Sequence, residues 1–146
     1  FLMIGKLSGD SYKWISEKKK TPKNLHYLGP KHVEIVNAAL AQSLFLVTTS
    51  TSDEGFSNNI IQAWLQKNSV VAFEFDPAGM IKEHQAGFVA NNGFEDFAEK
   101  TKNLIDNKLL REELGVNAFD FANQHFSTKK TVDKLESLFK DIMRSS

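Results

Sequence analysis

The chain has 146 residues, of which 41% are hydrophobic and 25% charged, a composition typical of one globular domain and unlike that of disordered or fibrous proteins. Its 18 basic residues balance its 18 acidic residues, which gives no support for a nucleic-acid binder driven by phosphate neutralisation. Cys is absent, which excludes disulfide scaffolds and thiolate metal sites, and no apolar run approaches the ~20 residues that a membrane-spanning helix needs.

Short apolar runs alternate with amphipathic stretches over the first 90 positions. Each apolar run predicts a buried strand, and each amphipathic stretch predicts a helix. In chain order, strands are predicted at 1–4, 25–28, 44–48, 70–73 and 87–90, and helices at 10–20, 32–41 and 59–67. This alternation is typical of βαβ units that build a parallel sheet with helices on both faces.

From residue 94 onward the pattern is wholly helical. It predicts three helices, at 94–105, 109–123 and 127–144, the last capped by Ser127. We expect the last helix to carry an apolar stripe that is exposed or covered only by a partner, made of Leu135, Leu138, Phe139 and Ile142. The alternative is that this stripe packs on nearby aromatic residues, namely Phe119, Phe121 and Phe126.

The loop after the third predicted strand holds the most informative residues. Ligands of open α/β sheets bind outside the carboxyl ends of the strands. A helix that begins near Ser57 or Asn58 would offer its free N–H groups and positive dipole end to a phosphate. Gly55 lets the backbone approach a ligand, and Glu54 can accept hydrogen bonds from two sugar hydroxyls. Gln62, about one turn inside the helix, could face the same pocket.

The spacing alone leaves a plainer alternative open, a Ser or Asn helix cap beside a solvent-exposed Glu. Glycines also follow the first and second strands, at Gly5 and Gly29, and the fourth strand is followed by residues 76–79, D-P-A-G. The four His residues show no ligand spacing, so we expect no metal site.

Residues 49–50, 54–58, 62–64 and 70–71 resemble the signature of the group 1 (family 4) glycosyltransferases. That signature is a strand ending in P-S or T-S, then E-G-F, then E-A-M or Q-A-W and a short P-V-V strand. At those places this chain reads T-S, E-G-F, Q-A-W and V-V. Four further segments also resemble the family, in the same order along the chain: 1–5, 24–29, 73–79 and 111–118. The last of them reads R-x-x-L-G-x-x-A. It therefore covers nearly the whole chain.

The resemblance implies a fold and a domain. Its members have the GT-B fold, and this chain would be the C-terminal half, a Rossmann-like parallel sheet with helices on both faces and a helical C-terminal extension. Residues 1–146 would form a single nucleotide-sugar-binding domain, truncated at its N-terminus, because nothing matches the family's first strand and helix. Those carry the "G-R" and "K-G" residues that hold the diphosphate.

The resemblance also implies roles for individual residues. Glu54 would be the catalytic acid that contacts the donor sugar, with Gly55 in the same loop. Gln62 stands where the family usually has a second acid that contacts the ribose, so this contact would be uncharged here. The remaining donor-binding residues would be Phe56, Ser57 and Asn58 at the sugar and diphosphate, Tyr27 and Leu28 at the base, and Gly5.

The implied activity is that of a retaining glycosyltransferase, with no cofactor and no obligatory metal. It would transfer a sugar from a nucleotide-sugar donor to a saccharide or lipid-linked acceptor held by a missing N-terminal domain. We expect no nucleic-acid partner and a location in the cytoplasm, with contact at the cytoplasmic membrane face for the full-length enzyme. Two alternatives are a GT-B sugar-nucleotide epimerase or phosphorylase and a non-catalytic Rossmann-like module.

The implied strand order, 3-2-1-4-5-6, leaves a gap at the missing first strand. We expect residues 1–4 to pair directly with 44–48, because an empty slot would expose two rows of backbone groups. The alternative is a strand from another segment or chain in that slot. If neither holds, the family-based architecture would be wrong.

Overall fold

A computed structural model describes residues 1–7, 9–17, 22–50 and 57–144. The five described strands are β1 (Leu2–Met3), β2 (His26–Tyr27), β3 (Leu46–Thr48), β4 (Val70–Phe73) and β5 (Gly87–Ala90). The described helices are α1 (Gly9–Ser16), α2 (Val33–Ala41), α3 (Asn58–Leu65), α4 (Met80–Glu83), α5 (Gly93–Asp106), α6 (Lys108–Phe126) and α7 (Thr128–Arg144). The predicted alternation and the helical C-terminal part are confirmed. A 3-10 turn at Pro77–Gly79 and the one-turn helix α4 were not predicted.

The chain divides into two compact units, Phe1–Ala39 and Leu40–Ser146. In the first unit, β1 and β2 form a parallel pair with Met3 opposite Tyr27. The ladder holds through the His26 N–H, which donates to the Phe1 carbonyl at 2.9 Å, and the Leu28 N–H, which donates to the Met3 carbonyl at 3.0 Å. Both residues of β1 are exposed in the described chain, where β2 is the strand partner of β1.

The second unit is built on a three-stranded parallel sheet in the order β3-β4-β5. β4 lies in the centre, and its Val70 is level with Leu46 of β3 and Gly87 of β5. Its first three residues are buried, as expected for a parallel strand that is covered on both faces. The short apolar run V-V-A-F therefore becomes the centre of this unit.

Helices cover both faces of this sheet. On one face Val70 and Ala72 pack with Trp64 of α3 and with Ala118 and Phe121 of α6. The opposite face is a second cluster of Val71, Leu104 of α5 and Leu114 of α6. Alternate residues of β4 thus enter opposite cores, since successive side chains of a strand point to opposite faces. Each fully buried Val or Leu side chain contributes roughly 1.5–3 kcal/mol to the free energy of folding.

The expected direct pairing of residues 1–4 with 44–48 is wrong. β1 pairs with β2 in one sheet, β3 pairs with β4 in another, and no described strand bridges the two sheets. A crossover connection joins β1 to β2 and another joins β3 to β4, and both of these pairs form. No connection joins β1 directly to β3, so nothing local in the chain specifies a pairing between them.

The expected apolar stripe of the last helix is confirmed as an exposed surface. Leu138 and Ile142 are each 54% exposed, and every described side chain of α7 is exposed. The alternative, packing on the phenylalanines of α6, is wrong. Phe126 is partly buried and packs edge-on against Phe121 of the core, with ring centroids 5.7 Å apart.

Candidate functional site

The end of β3 and the start of α3 frame the loop that was predicted to bind the donor. β3 ends at Thr48 and α3 begins at Asn58, as expected from the sequence. Three predicted site residues, Glu54, Gly55 and Phe56, lie outside the described residues. Their roles stay predictions, and the site is built here from the residues on either side of them.

Two side chains fix the point where the chain leaves β3. The Ser50 N–H donates to Thr48 Oγ1 at 3.2 Å, and Thr48 Oγ1 donates to Ser50 Oγ at 3.1 Å. A hydroxyl that accepts a bond from the N–H two residues later closes a local turn. Both residues are partly buried, so this turn sets the direction in which the loop starts.

The N-terminus of α3 has the geometry that an anion needs. Ser57 is the N-cap, with extended φ and ψ angles of −73° and 120°, and its carbonyl accepts the Ile60 N–H at 3.1 Å. Ser57 makes no side-chain capping bond within the described residues. The first N–H groups of a helix have no partner inside it and lie at the positive end of its dipole. The Ser57–Asn58 end of α3 therefore carries backbone donors for a phosphate.

Gln62 lies where the sequence predicted, one turn into α3. It follows Asn58 by four positions, so the two side chains share one side of the helix. The opposite side, which includes Ile60 and Trp64, is buried against the sheet. Because that buried side sets the rotation of α3, Asn58 and Gln62 point away from the core, and Gln62 is partly buried.

The other predicted binding residues meet in the first unit, at the carboxyl ends of β1 and β2. The Tyr27 hydroxyl donates to the Gly5 carbonyl at 2.9 Å, and the Gly5 N–H donates to the Gly29 carbonyl at 3.1 Å. Leu28 is half-exposed beside them. Gly5, Tyr27 and Leu28 thus form one connected edge, in which the hydroxyl of Tyr27 is already occupied.

The polar residues after β4 and β5 were not assigned a role from the sequence. Asp76 accepts the Ile81 N–H at 2.9 Å and the Lys82 N–H at 3.3 Å, so the D-P-A-G segment holds α4 in place. Asp96 accepts the Asn91 and Asn92 N–H groups at 2.9 and 3.2 Å. A hydrogen bond from Lys100, assisted by those two backbone bonds, holds the pKa of Asp96 below its ordinary value.

Two further properties concern the described residues, namely metal ligation and membrane insertion. No three His, Asp or Glu side chains among them are placed to hold a metal ion. Within the same part of the chain, no helix combines the length and apolar character needed to cross a membrane.

Comparison with known proteins identifies relatives for most of the chain. The family model of glycosyl transferases group 1 matches residues 1–107. The poly(ribitol-phosphate) alpha-N-acetylglucosaminyltransferase of Staphylococcus aureus (strain COL) is 30% identical over 97 residues, which is 64% of this chain and 20% of that protein. An uncharacterized glycosyltransferase of Methanocaldococcus jannaschii is 29% identical over 146 residues, 97% of this chain and 40% of that protein.

Solved structures match the fold. A mutant of S. aureus TarM in complex with Fondaparinux, alpha-GlcNAc-glycerol and UDP superposes with a TM-score of 0.76 at 25% identity, over 95% of this chain and 28% of that one. Anabaena HepE in complex with UDP and glucose gives a TM-score of 0.74 at 22% identity, over 93% of this chain and 40% of that one. The architecture is that of the GT-B glycosyltransferases, as expected.

The chain spans between 20% and 40% of the length of the curated relatives it matches. The match to GT-B structures holds although β1 and β3 are neither paired nor bridged by a described strand, so the condition that this would overturn the architecture was too strict. The family model covers most of the chain, including both units' strands and the segment that holds the loop and α3. This chain belongs to the group 1 glycosyl transferases.

Proposed function

We propose that this chain is the donor-binding domain of an enzyme that transfers a sugar from a nucleotide-sugar to a saccharide or lipid-linked acceptor. The observation that carries the proposal is the start of α3 at Asn58, directly behind the E-G-F loop at the carboxyl end of β3. UDP in the TarM structure, and UDP with glucose in the HepE structure, support a nucleotide-sugar as the donor.

The diphosphate of the donor binds at the N-terminus of α3 in this proposal. The backbone N–H groups from Phe56 to Asn58 donate to its oxygens, and the helix dipole stabilises the negative charge that grows as the diphosphate leaves. Glu54 accepts hydrogen bonds from hydroxyls of the transferred sugar, and Gly55 lets the loop come close to it. The share of this domain in catalysis is to hold the donor and to stabilise the leaving group.

Gln62 binds a ribose hydroxyl in this proposal. Its position on the same side of α3 as Asn58 supports the role, as does its partial burial, which limits the freedom of the amide. A neutral amide makes a weaker hydrogen bond to a hydroxyl than a carboxylate does. We therefore expect the ribose contact to contribute less here than where the family has an acid.

Tyr27 and Leu28 contact the nucleotide base in this proposal, and Gly5 is a donor-binding residue on the same edge. The Tyr27 hydroxyl is occupied by the Gly5 carbonyl, so recognition rests on apolar contact and on backbone groups rather than on that hydroxyl. The retaining stereochemistry, the lipid-linked class of acceptor and the cytoplasmic or membrane-face location rest on the family resemblance. A sugar-nucleotide epimerase and a non-catalytic module are not favoured, because the matched relatives reported above are named as glycosyltransferases.

Calorimetric titration of UDP tests the binding part of this proposal. For the chain alone we expect a dissociation constant above about 1 μM, because no residue matches the diphosphate-holding "G-R" and "K-G" segments. Gln62→Ala should weaken UDP by about 2- to 10-fold, the range for one neutral hydrogen bond. Gln66→Ala, the same change at the other end of α3, is the control and should leave the affinity unchanged. Equal effects of the two changes would remove Gln62 from the site.

Glu54→Ala tests the catalytic part in the intact enzyme. Loss of hydroxyl contacts worth ~2–4 kcal/mol should lower turnover of the donor by about 10²-fold or more. UDP affinity should change little, because Glu54 contacts the sugar and not the nucleotide. Unchanged turnover would exclude this role for Glu54.

A further inference from the structure

Aromatic and amide side chains meet at the carboxyl ends of β4 and β5, away from the donor loop. Phe73, the last residue of β4, is level with Ala90, the last residue of β5. Glu74 follows the one strand and Asn91 the other, and the Glu74 N–H donates to the Ala90 carbonyl at 2.8 Å. The helix α5 begins two residues after Asn91, which brings its first turn to the same edge of the sheet.

Phe94, in the first turn of α5, is an ordered aromatic ring that solvent reaches. It is 73% exposed, yet one face of its ring stacks on Phe73, with centroids 4.7 Å apart and planes 24° apart. Phe97 in turn packs edge-on against Phe73 at 5.4 Å. The rings of Phe73 and Phe97 therefore hold the orientation of Phe94 while its other face is open.

Exposed polar side chains surround this ring. Asn91 and Asn92 are exposed, and their backbone N–H groups are both bound by Asp96, which fixes the turn. Asn92 stands at the N-cap of α5, but its side chain makes no capping bond within the described residues. Its amide is therefore not committed to the helix, and Glu74 adds an exposed carboxylate.

This combination matches the chemistry of a sugar ring. A pyranose presents an apolar C–H face that stacks on an aromatic ring, and hydroxyls at its rim that bind amides and carboxylates. A nucleotide or phosphate is disfavoured here, because Asp96 already accepts the Asn91 and Asn92 N–H groups and pairs with the Lys100 ammonium. The exposed carboxylate of Glu74 would also repel an anion. One ring with amides is also too small for a stable protein interface, which buries roughly 800 Å² on each partner.

We propose that Phe94, with Asn91, Asn92 and Glu74, binds an outlying sugar of the acceptor, whose remainder the family resemblance assigns to an N-terminal domain. This assignment rests on the proposed function, since it gives the acceptor its chemical class. β5 lies two strands from β3, about 10 Å at the usual spacing of neighbouring strands. The Phe94 surface is thus near the place where the donor loop leaves β3, but separate from it.

Saccharide titration followed by two-dimensional NMR tests the proposal on the 146-residue chain. The probes are maltotetraose and chitotetraose, each raised to tens of millimolar, and UDP is titrated separately. We expect at least one of the two saccharides to shift the amide signals of Asn91, Asn92 and Phe94. Phe94→Ala should weaken that saccharide by about tenfold, and Phe94→Tyr, which keeps a stacking ring, should retain the affinity.

Leu109→Ala is the matched control, because Leu109 is 79% exposed in the first turn of α6, outside the Phe94 surface. It should change neither titration. Saccharide affinity that survives Phe94→Ala, or no shift with either probe, would overturn the proposal. So would self-association of the chain that Phe94→Ala abolishes, since this would assign the surface to a second copy. If UDP does not bind to the chain while a saccharide binds as expected, the proposed donor site is contradicted and the proposed saccharide site is not.

Discussion

The two longest helices, α6 and α7, follow one another in the chain and have opposite surroundings. α6 buries five residues, among them Leu114, Ala118 and Phe121, whereas every described side chain of α7 is exposed. α7 nevertheless has the cleaner sequence pattern, with its apolar residues confined to one stripe. The apolar residues of α6 are spread around the helix, because Phe121 packs on one face of the sheet and Leu114 on the other.

A clear apolar stripe identifies the face that a helix can bury, but not whether another part of the chain covers that face. A helix that contacts two cores has no single stripe, because it needs apolar residues on more than one side. This explains why α6 has a weak amphipathic pattern and is buried, whereas α7 has a strong one and is exposed. Substitutions in α6 and α7 test this difference, and one in α5 extends the test to a charged contact.

The largest difference in the free energy of unfolding is expected when the same change, Phe to Ala, is made once in α6 and once in α7. Phe121 is 9% exposed and packs edge-on against Trp64 at 5.6 Å, whereas Phe139 is 59% exposed. Phe121→Ala should lower the free energy of unfolding by about 3–5 kcal/mol, through lost burial and the cavity left behind. Phe139→Ala should change it by less than about 0.5 kcal/mol. Urea denaturation followed by circular dichroism measures both, and equal losses would mean that α7 is covered in the chain.

An intermediate effect is expected where α6 passes the connection between α3 and β4. A Cβ atom on Gly115 would lie 2.1 Å from the Lys67 carbonyl oxygen, which is backbone and has little room to move. Gly115→Ala should therefore destabilise the chain by about 1–3 kcal/mol, although Gly to Ala inside a helix normally stabilises by about 1 kcal/mol.

Val116→Ala, at the exposed neighbouring position, is the control for that change. It should alter the free energy of unfolding only slightly, because Ala is at least as good a helix former as Val and little packing is lost. A gain of stability in Gly115→Ala would show that α6 does not approach Lys67 this closely.

The smallest effect is expected at the first turn of α5 and depends on pH. The hydrogen bond from Lys100 lowers the pKa of Asp96 from its ordinary value of 3.8. A carboxylate with a lowered pKa in the folded state adds stability above its unfolded pKa and loses it as the pH falls through the folded one. Asp96→Asn should therefore lower the midpoint of thermal unfolding slightly at pH 7, and this difference should shrink below pH 4. A difference that is the same at pH 7 and pH 2.5 would exclude the charged bond as its cause.

Segments whose pattern depends only on neighbours in sequence were predicted well. The run V-V-A-F formed β4, and the polar residues before Ile60 placed the start of α3 at Asn58. The R-x-x-L-G-x-x-A segment was noticed only as part of a family signature. The structure shows that it packs α6: Arg111 donates to the Leu104 and Ile105 carbonyls at the end of α5, and Ala118 enters the core.

Features that depend on distant partners were predicted less well. The expected pairing of residues 1–4 with 44–48 failed, because strand order follows from crossover connections and not from the apolar character of the strands. The Phe94 surface carried no signal in the sequence either. Phe94 has the helical spacing of an inward-facing residue, yet its ring stacks on Phe73 of β4 and remains largely exposed.

The sequence by itself determined the order of strands and helices, the parallel class of the sheet and the membership of the glycosyl transferase family, because periodicity, turn residues and short motifs are local properties of the chain. Only the tertiary structure decided which apolar faces are covered, which strands are neighbours, and which side chains meet at the carboxyl edge of β4 and β5. Those outcomes depend on contacts between residues far apart in the chain, and such contacts leave no periodic trace in either partner.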